Sequence, residues 1–78
     1  MKMTYDNLNS WVIKLSKIKP YRITLKSGHG FYEIWFLYNE YHHCVRILPN
    51  DMEDEIKCQK KILFMCMEFE KNIKLRVF

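Results

Sequence analysis

Residues 21–48, YRITLKSGHGFYEIWFLYNEYHHCVRIL, decide the fold. Tyr21, Ile23 and Leu25 alternate with Arg22, Thr24 and Lys26, the period of two that a half-buried strand requires. Ser27-Gly28-His29-Gly30 follows, and its glycines permit the positive φ angles of a tight turn with His29 at the tip. Phe31 to Tyr38 is apolar on nearly both faces, the pattern of a central strand. Asn39-Glu40 makes a second turn, and Tyr41 to Leu48 reads as a third strand.

Two tight hairpins set register, and register sets which side chains share a face. Centred on Gly28 and His29, the first hairpin puts Leu25 opposite Tyr32, Ile23 opposite Ile34 and Tyr21 opposite Phe36. Centred on Asn39 and Glu40, the second puts Phe36 opposite His43, Ile34 opposite Val45 and Tyr32 opposite Ile47. All of these fall on one apolar side, so that side must be the one packed against helices. The other side carries Arg22 across from Trp35, Thr24 across from Glu33 and Glu33 across from Arg46, with Leu37, His42 and Cys44 nearby. An Arg22–Trp35 cation–π contact and a Glu33–Arg46 ion pair are expected there, each worth under about 1 kcal/mol on an exposed sheet.

Before the meander, Leu8, Trp11, Val12, Leu15 and Ile18 recur at helical spacing, with Thr4 or Asp6 as the cap and Pro20 as the stop. Ile13 points to the side of that face. After the meander, Pro49 ends the third strand, Asn50 with Glu53 resembles a capping box, and Asp51, Glu53, Asp54 and Glu55 crowd the start of a second helix running to about Lys71. Its core stripe is expected to be Met52, Ile56, Gln59 or Lys60, Leu63 and Met67, although Ile62 to Met67 is apolar almost all round. An alternative ends this helix near Lys61 and pairs Ile62–Phe69 with Ile73–Phe78 as a hairpin; helix formers favour the long helix. Ile73, Leu75 and Val77, alternating with Lys74 and Arg76, then read as a fourth strand beside the third, joined by a right-handed crossover. The expected architecture is α+β, in the order α-β-β-β-α-β, with both helices on one face of an antiparallel meander.

At 78 residues the chain is one domain, 1–78, and its 49% hydrophobic and 28% charged content exclude disorder and a membrane bundle. So short a chain leaves little volume for a deep catalytic cleft, and no motif specifies a reaction or a cofactor, so a non-enzymatic protein is expected. Thirteen Lys and Arg against nine Asp and Glu give +4, a mild attraction for acidic partners. Cys44, Cys58 and Cys66 form no C-x-x-C pair, and three thiols suit a reducing cytoplasm. The N-terminus carries no apolar core of a signal peptide, and no apolar run is long enough to span a membrane.

His42-His43-Cys44 offers metal-ligand atoms, with His42 and Cys44 on one face, but without the third and fourth ligands zinc needs. A Cys44–His42 nucleophile pair lacks an orienting group and an oxyanion hole. The acidic Asp51–Glu55 run reads as a helix N-terminus rather than a calcium site. What remains is the uncovered sheet face: Arg22, Lys26, Trp35, Leu37, His42 and Arg46, joined through the fourth strand by Lys74 and Arg76. Aromatic surface interleaved with cations suits an acidic protein patch or single-stranded bases.

The order of elements resembles two families. From Leu8 through Met67 the chain is similar to double-stranded RNA-binding domains, with Pro20-Tyr21 at a strand start and Gly28-His29 in a histidine loop; this resemblance implies nucleic-acid binding. That family presents lysines where this chain has Asp51, Glu53, Asp54 and Glu55, with Lys57, Lys60 and Lys61 arriving one to two turns later. In size and order, through Asp6–Lys19, Pro20–Lys26 and Tyr41–Leu48 with the helix after it, the chain also resembles small phage-encoded anti-CRISPR proteins. That resemblance implies an inhibitor that occupies the surface of a CRISPR effector complex in a host cytoplasm. A homodimer burying the open sheet face is a third expectation.

Overall fold

The computed structural model describes residues 1–77, with side chains through residue 73. Thr4 supplies the first cap: its Oγ1 accepts from the Asn7 N–H at 3.2 Å and opens helix α1, Tyr5–Ile18. Leu8, Val12 and Leu15 are buried from its inner face, and Trp11 packs partly beside them. Ile18 ends that face 77% exposed, so the buried stripe stops one turn sooner than the spacing predicts. The chain then enters β1, Arg22–Ser27, an edge strand whose Ile23 N–H is capped by Ser16 Oγ of α1 at 3.0 Å.

Strands β2, Tyr32–Tyr38, and β3, Tyr41–Ile47, complete an antiparallel sheet of order β1-β2-β3. The second hairpin pairs as expected, with Ile34 opposite Val45 and Phe36 opposite His43. The first is displaced by two residues: Ile23 faces Phe36 and Leu25 faces Ile34. Its turn is centred one residue later than expected, on His29 and Gly30, closing with the Gly28 N–H donating to the Phe31 carbonyl at 2.8 Å and with Gly30 at φ +77°. A slip of two preserves the face of every side chain, so sidedness holds while the cross-strand neighbours change. Tyr21, Ile23, Ile34, Phe36 and Ile47 are buried on the helix side, with Val45 partly so.

Pro49–Met52 forms a single helical turn, α2, and Glu55–Val77 forms the long helix α3. Asp51 Oδ2 reaches back to the Leu48 N–H at 2.8 Å, while Asp54 Oδ1 accepts from the N–H groups of Ile56 at 3.0 Å and Lys57 at 3.3 Å. Two carboxylates three residues apart can each cap a helix start, and both do; the expected Asn50–Glu53 box is replaced by these. The N-terminal arm clamps the junction: Met3 N–H donates to the Met52 carbonyl at 2.8 Å, and Glu55 N–H to the Met1 carbonyl at 2.7 Å. Met3 is itself buried, a core residue the helical spacing gives no reason to include.

Two expectations for the C-terminal half are corrected. The fourth strand does not form, because residues 73–77 continue α3; five alternating residues are also compatible with a helix, and no glycine or proline after Lys71 stops it. Phe78 lies outside the described residues. The inward stripe of α3 is Cys58, Ile62, Cys66 and Phe69, whereas Ile56, Leu63 and Met67 face water at 63%, 40% and 66% exposure. Phe69 anchors this rotation, its ring centroid 5.1 Å from that of Tyr21 and 5.7 Å from that of Phe36. The chain is thus an α+β fold: α1 and α3 cover one face of a three-stranded antiparallel meander.

Candidate functional site: the uncovered sheet face

The face away from the helices is laid out by the pairing in three cross-strand rows. Arg22, Leu37 and His42 form one, Thr24, Trp35 and Cys44 the next, and Lys26, Glu33 and Arg46 the third. Successive strands stand about 4.8 Å apart, so Lys26 and Arg46 flank Glu33 with backbones roughly 10 Å from each other. Arg22, Lys26, His42 and Arg46 are exposed, while Trp35, Leu37, Glu33, Thr24 and Cys44 are partly buried.

Trp35 is the centre of the face. The Lys26 ammonium stands 5.0 Å from its ring centroid, the His42 ring lies 5.8 Å away at an angle of 32°, and the indole N–H donates to Glu33 Oε1 at 3.3 Å. The expected Arg22–Trp35 contact is replaced by Lys26, because the two-residue slip puts Thr24, not Arg22, opposite Trp35. Thr24 Oγ1 is covered there without a hydrogen-bond partner. Arg46 makes the expected pair with Glu33, loosely, at 4.0 Å, and its guanidinium carbon also stands 4.7 Å from the centroid of the Phe31 ring. One carboxylate therefore orients both the indole and a guanidinium. Phe31 also belongs to this surface and is not among the residues expected on it, although its alternation with Glu33 and Trp35 carries the signal.

Among the residues expected on this face, Arg22, Lys26, Trp35, Leu37, His42 and Arg46 do share it. Lys74 and Arg76 do not join through a strand: their backbone belongs to α3, and their side chains lie outside the described residues.

The chemistry of the face is electrostatic rather than nucleophilic. Burial, reinforced by the nearby Glu33 carboxylate, pushes the Cys44 thiol above its ordinary range, the opposite of what an attacking thiolate needs. His43 points to the helix side, opposite Phe36, away from His42 and Cys44. Among the described residues no three His, Cys, Asp or Glu side chains converge as metal ligands, and no helix is long and apolar enough to cross a membrane. A groove of about 480 Å³ between the first hairpin loop and α2 is lined by Lys2, Tyr5, Phe31, Tyr32, Met52 and Glu53. Comparison with protein-family models, curated proteins and solved structures returns no match.

Proposed function

We propose that this protein is a non-catalytic binding domain that docks its uncovered sheet face onto an acidic surface of a protein partner. The observation that supports this reading is Trp35, held in place by Glu33 at its N–H and covered by Lys26, inside a frame of Arg22, Lys26 and Arg46. A preoriented aromatic anchor ringed by cations is the composition of a binding hot spot. Against single-stranded nucleic acid, Lys26 already occupies the indole face on which a base would stack. A partner carboxylate needs no stacking face and is met by the exposed Arg22, Lys26 and Arg46. A CRISPR effector complex, the target class implied by the resemblance to phage-encoded inhibitors, is the specific partner to test.

The experiment is cleavage of target DNA by a purified CRISPR effector nuclease with and without the protein. The wild-type chain is expected to inhibit; the charge reversals Lys26→Glu and Arg46→Glu, on exposed side chains, are expected to abolish inhibition with the circular dichroism spectrum unchanged. Equal inhibition by both variants would remove the sheet face from the contact. A parallel titration with single-stranded RNA, reported by Trp35 fluorescence in a Trp11→Phe background, is expected to be flat. A signal that falls steeply with added salt would move the reading to nucleic-acid binding.

A further inference from the structure

Helix α3 has two apolar faces, and the sheet uses only one. Outward from the protein run Ile56, Lys60, Leu63, Phe64, Met67 and Lys71, spaced at i, i+4, i+7, i+8, i+11 and i+15, a continuous stripe on one side of the helix. Its apolar members are exposed by 40% to 66%, contiguous apolar surface of the kind that marks an interaction site. The stripe is also long: a helix of 23 residues extends about 35 Å at 1.5 Å per residue, most of the 40 Å long axis of the molecule.

We propose that this stripe is a self-association surface, occupied by α3 of a second copy in antiparallel orientation about a two-fold axis. Charge decides both occupant and direction. The stripe carries cations at Lys60 and Lys71, and the exposed Glu68 stands at its rim. A parallel pair would set Lys60 against Lys60 and Lys71 against Lys71. An antiparallel pair whose axis passes between Leu63 and Phe64 sets Leu63 on the partner's Phe64 and Lys60 over the partner's Met67. The Lys60 ammonium then lies beside the partner's Glu68, and Lys71 over the partner's Ile56 near its acidic first turn. Each pairing occurs twice, as an isologous contact requires. The lysine stems contribute apolar length to the seam while their charges meet carboxylates at its rim. The same pairing opposes the two helix dipoles.

Because α3 lies on the helix side of the sheet, the dimer leaves both open sheet faces uncovered and directed apart, so it does not depend on what those faces bind. Sedimentation equilibrium of the full chain at about 100 µM is expected to give twice the 9.7 kDa chain mass. Leu63→Lys, at an exposed position, is expected to return the single-chain mass with an unchanged circular dichroism spectrum. Lys60→Glu and Glu68→Lys are each expected to weaken the dimer about tenfold, and the double variant to restore it. A wild-type chain that stays monomeric overturns the proposal, as does a dimer indifferent to Leu63→Lys. A double variant weaker than either single variant overturns the antiparallel register.

Discussion

Tyr21 is buried by aromatic rings on two sides, yet its hydroxyl donates to Glu70 Oε2 at 2.6 Å, and the same oxygen takes the Lys19 ammonium at 2.7 Å. Burial first, and then this hydrogen bond, push the phenol far above its ordinary range, so it stays a donor at any physiological pH. The lysine in turn is held above its usual value by the Glu70 contact. Tyr21→Phe keeps the ring packing and removes only the donor. It is expected to lower stability by about 1.5–3 kcal/mol in urea unfolding, the cost of a hydrogen bond to a charged acceptor. Neither Glu70 nor its partners stand out in the sequence, because the pair joins residues 49 apart and only the packing of Phe69 brings them together.

The junction of α2 and α3 shows how an element is started twice within a few residues. Asp51 is partly buried, which by itself favours the neutral acid, but the Lys61 ammonium and the Leu48 N–H together hold its carboxyl below the usual range. The ionised form is thus stabilised by folding. Its contribution is present above the unfolded value near 3.9 and is lost as pH falls through the lower folded value. Asp51→Ala is expected to cost about 1 kcal/mol at pH 7, from the lost cap, and to flatten the loss of stability on acidification below about pH 4. Thermal unfolding of both proteins at pH 7, 5 and 3 measures this; parallel pH dependences would refute the role of Asp51. The same acidic run is legible in the sequence as a helix start. Which carboxylate caps which turn is not, since Asp51, Glu53 and Asp54 all satisfy the pattern until Met1 and Met3 clamp the backbone.

The whole molecule rests on one core that includes Ile34, Phe36 and Ile47 from the sheet and Leu8, Ile62 and Phe69 from the helices. A chain of this length is stable by only about 5–10 kcal/mol, so Ile34→Ala, at a fully buried position, is expected to remove about 2–5 of that. Thiol chemistry reports the same event. Cys58 and Cys66 are buried, and burial raises both thiols, Cys58 to about 11. At pH 8 both are expected to react with a disulfide reagent only on unfolding, and faster in Ile34→Ala than in the wild type. Equal rates in the two proteins would mean that these thiols are reached by local opening instead.

The sidedness of the meander is a property of the sequence alone: a period of two cannot be slipped by one residue without turning Ile23, Ile34 and Ile47 outward, so the open face bearing Trp35, Arg46 and His42 follows from the alternation. The centre of the first turn is not, because two glycines admit more than one closure, and that choice puts Thr24 in place of Arg22 opposite the indole. Nor does periodicity determine which way α3 faces. Ile62 to Met67 is apolar all round, and either stripe can serve as core. Tertiary packing chose Cys58, Ile62, Cys66 and Phe69, since Phe69 fills the space between Tyr21 and Phe36. The stripe left over, Ile56 to Met67, is the physical remainder of that choice.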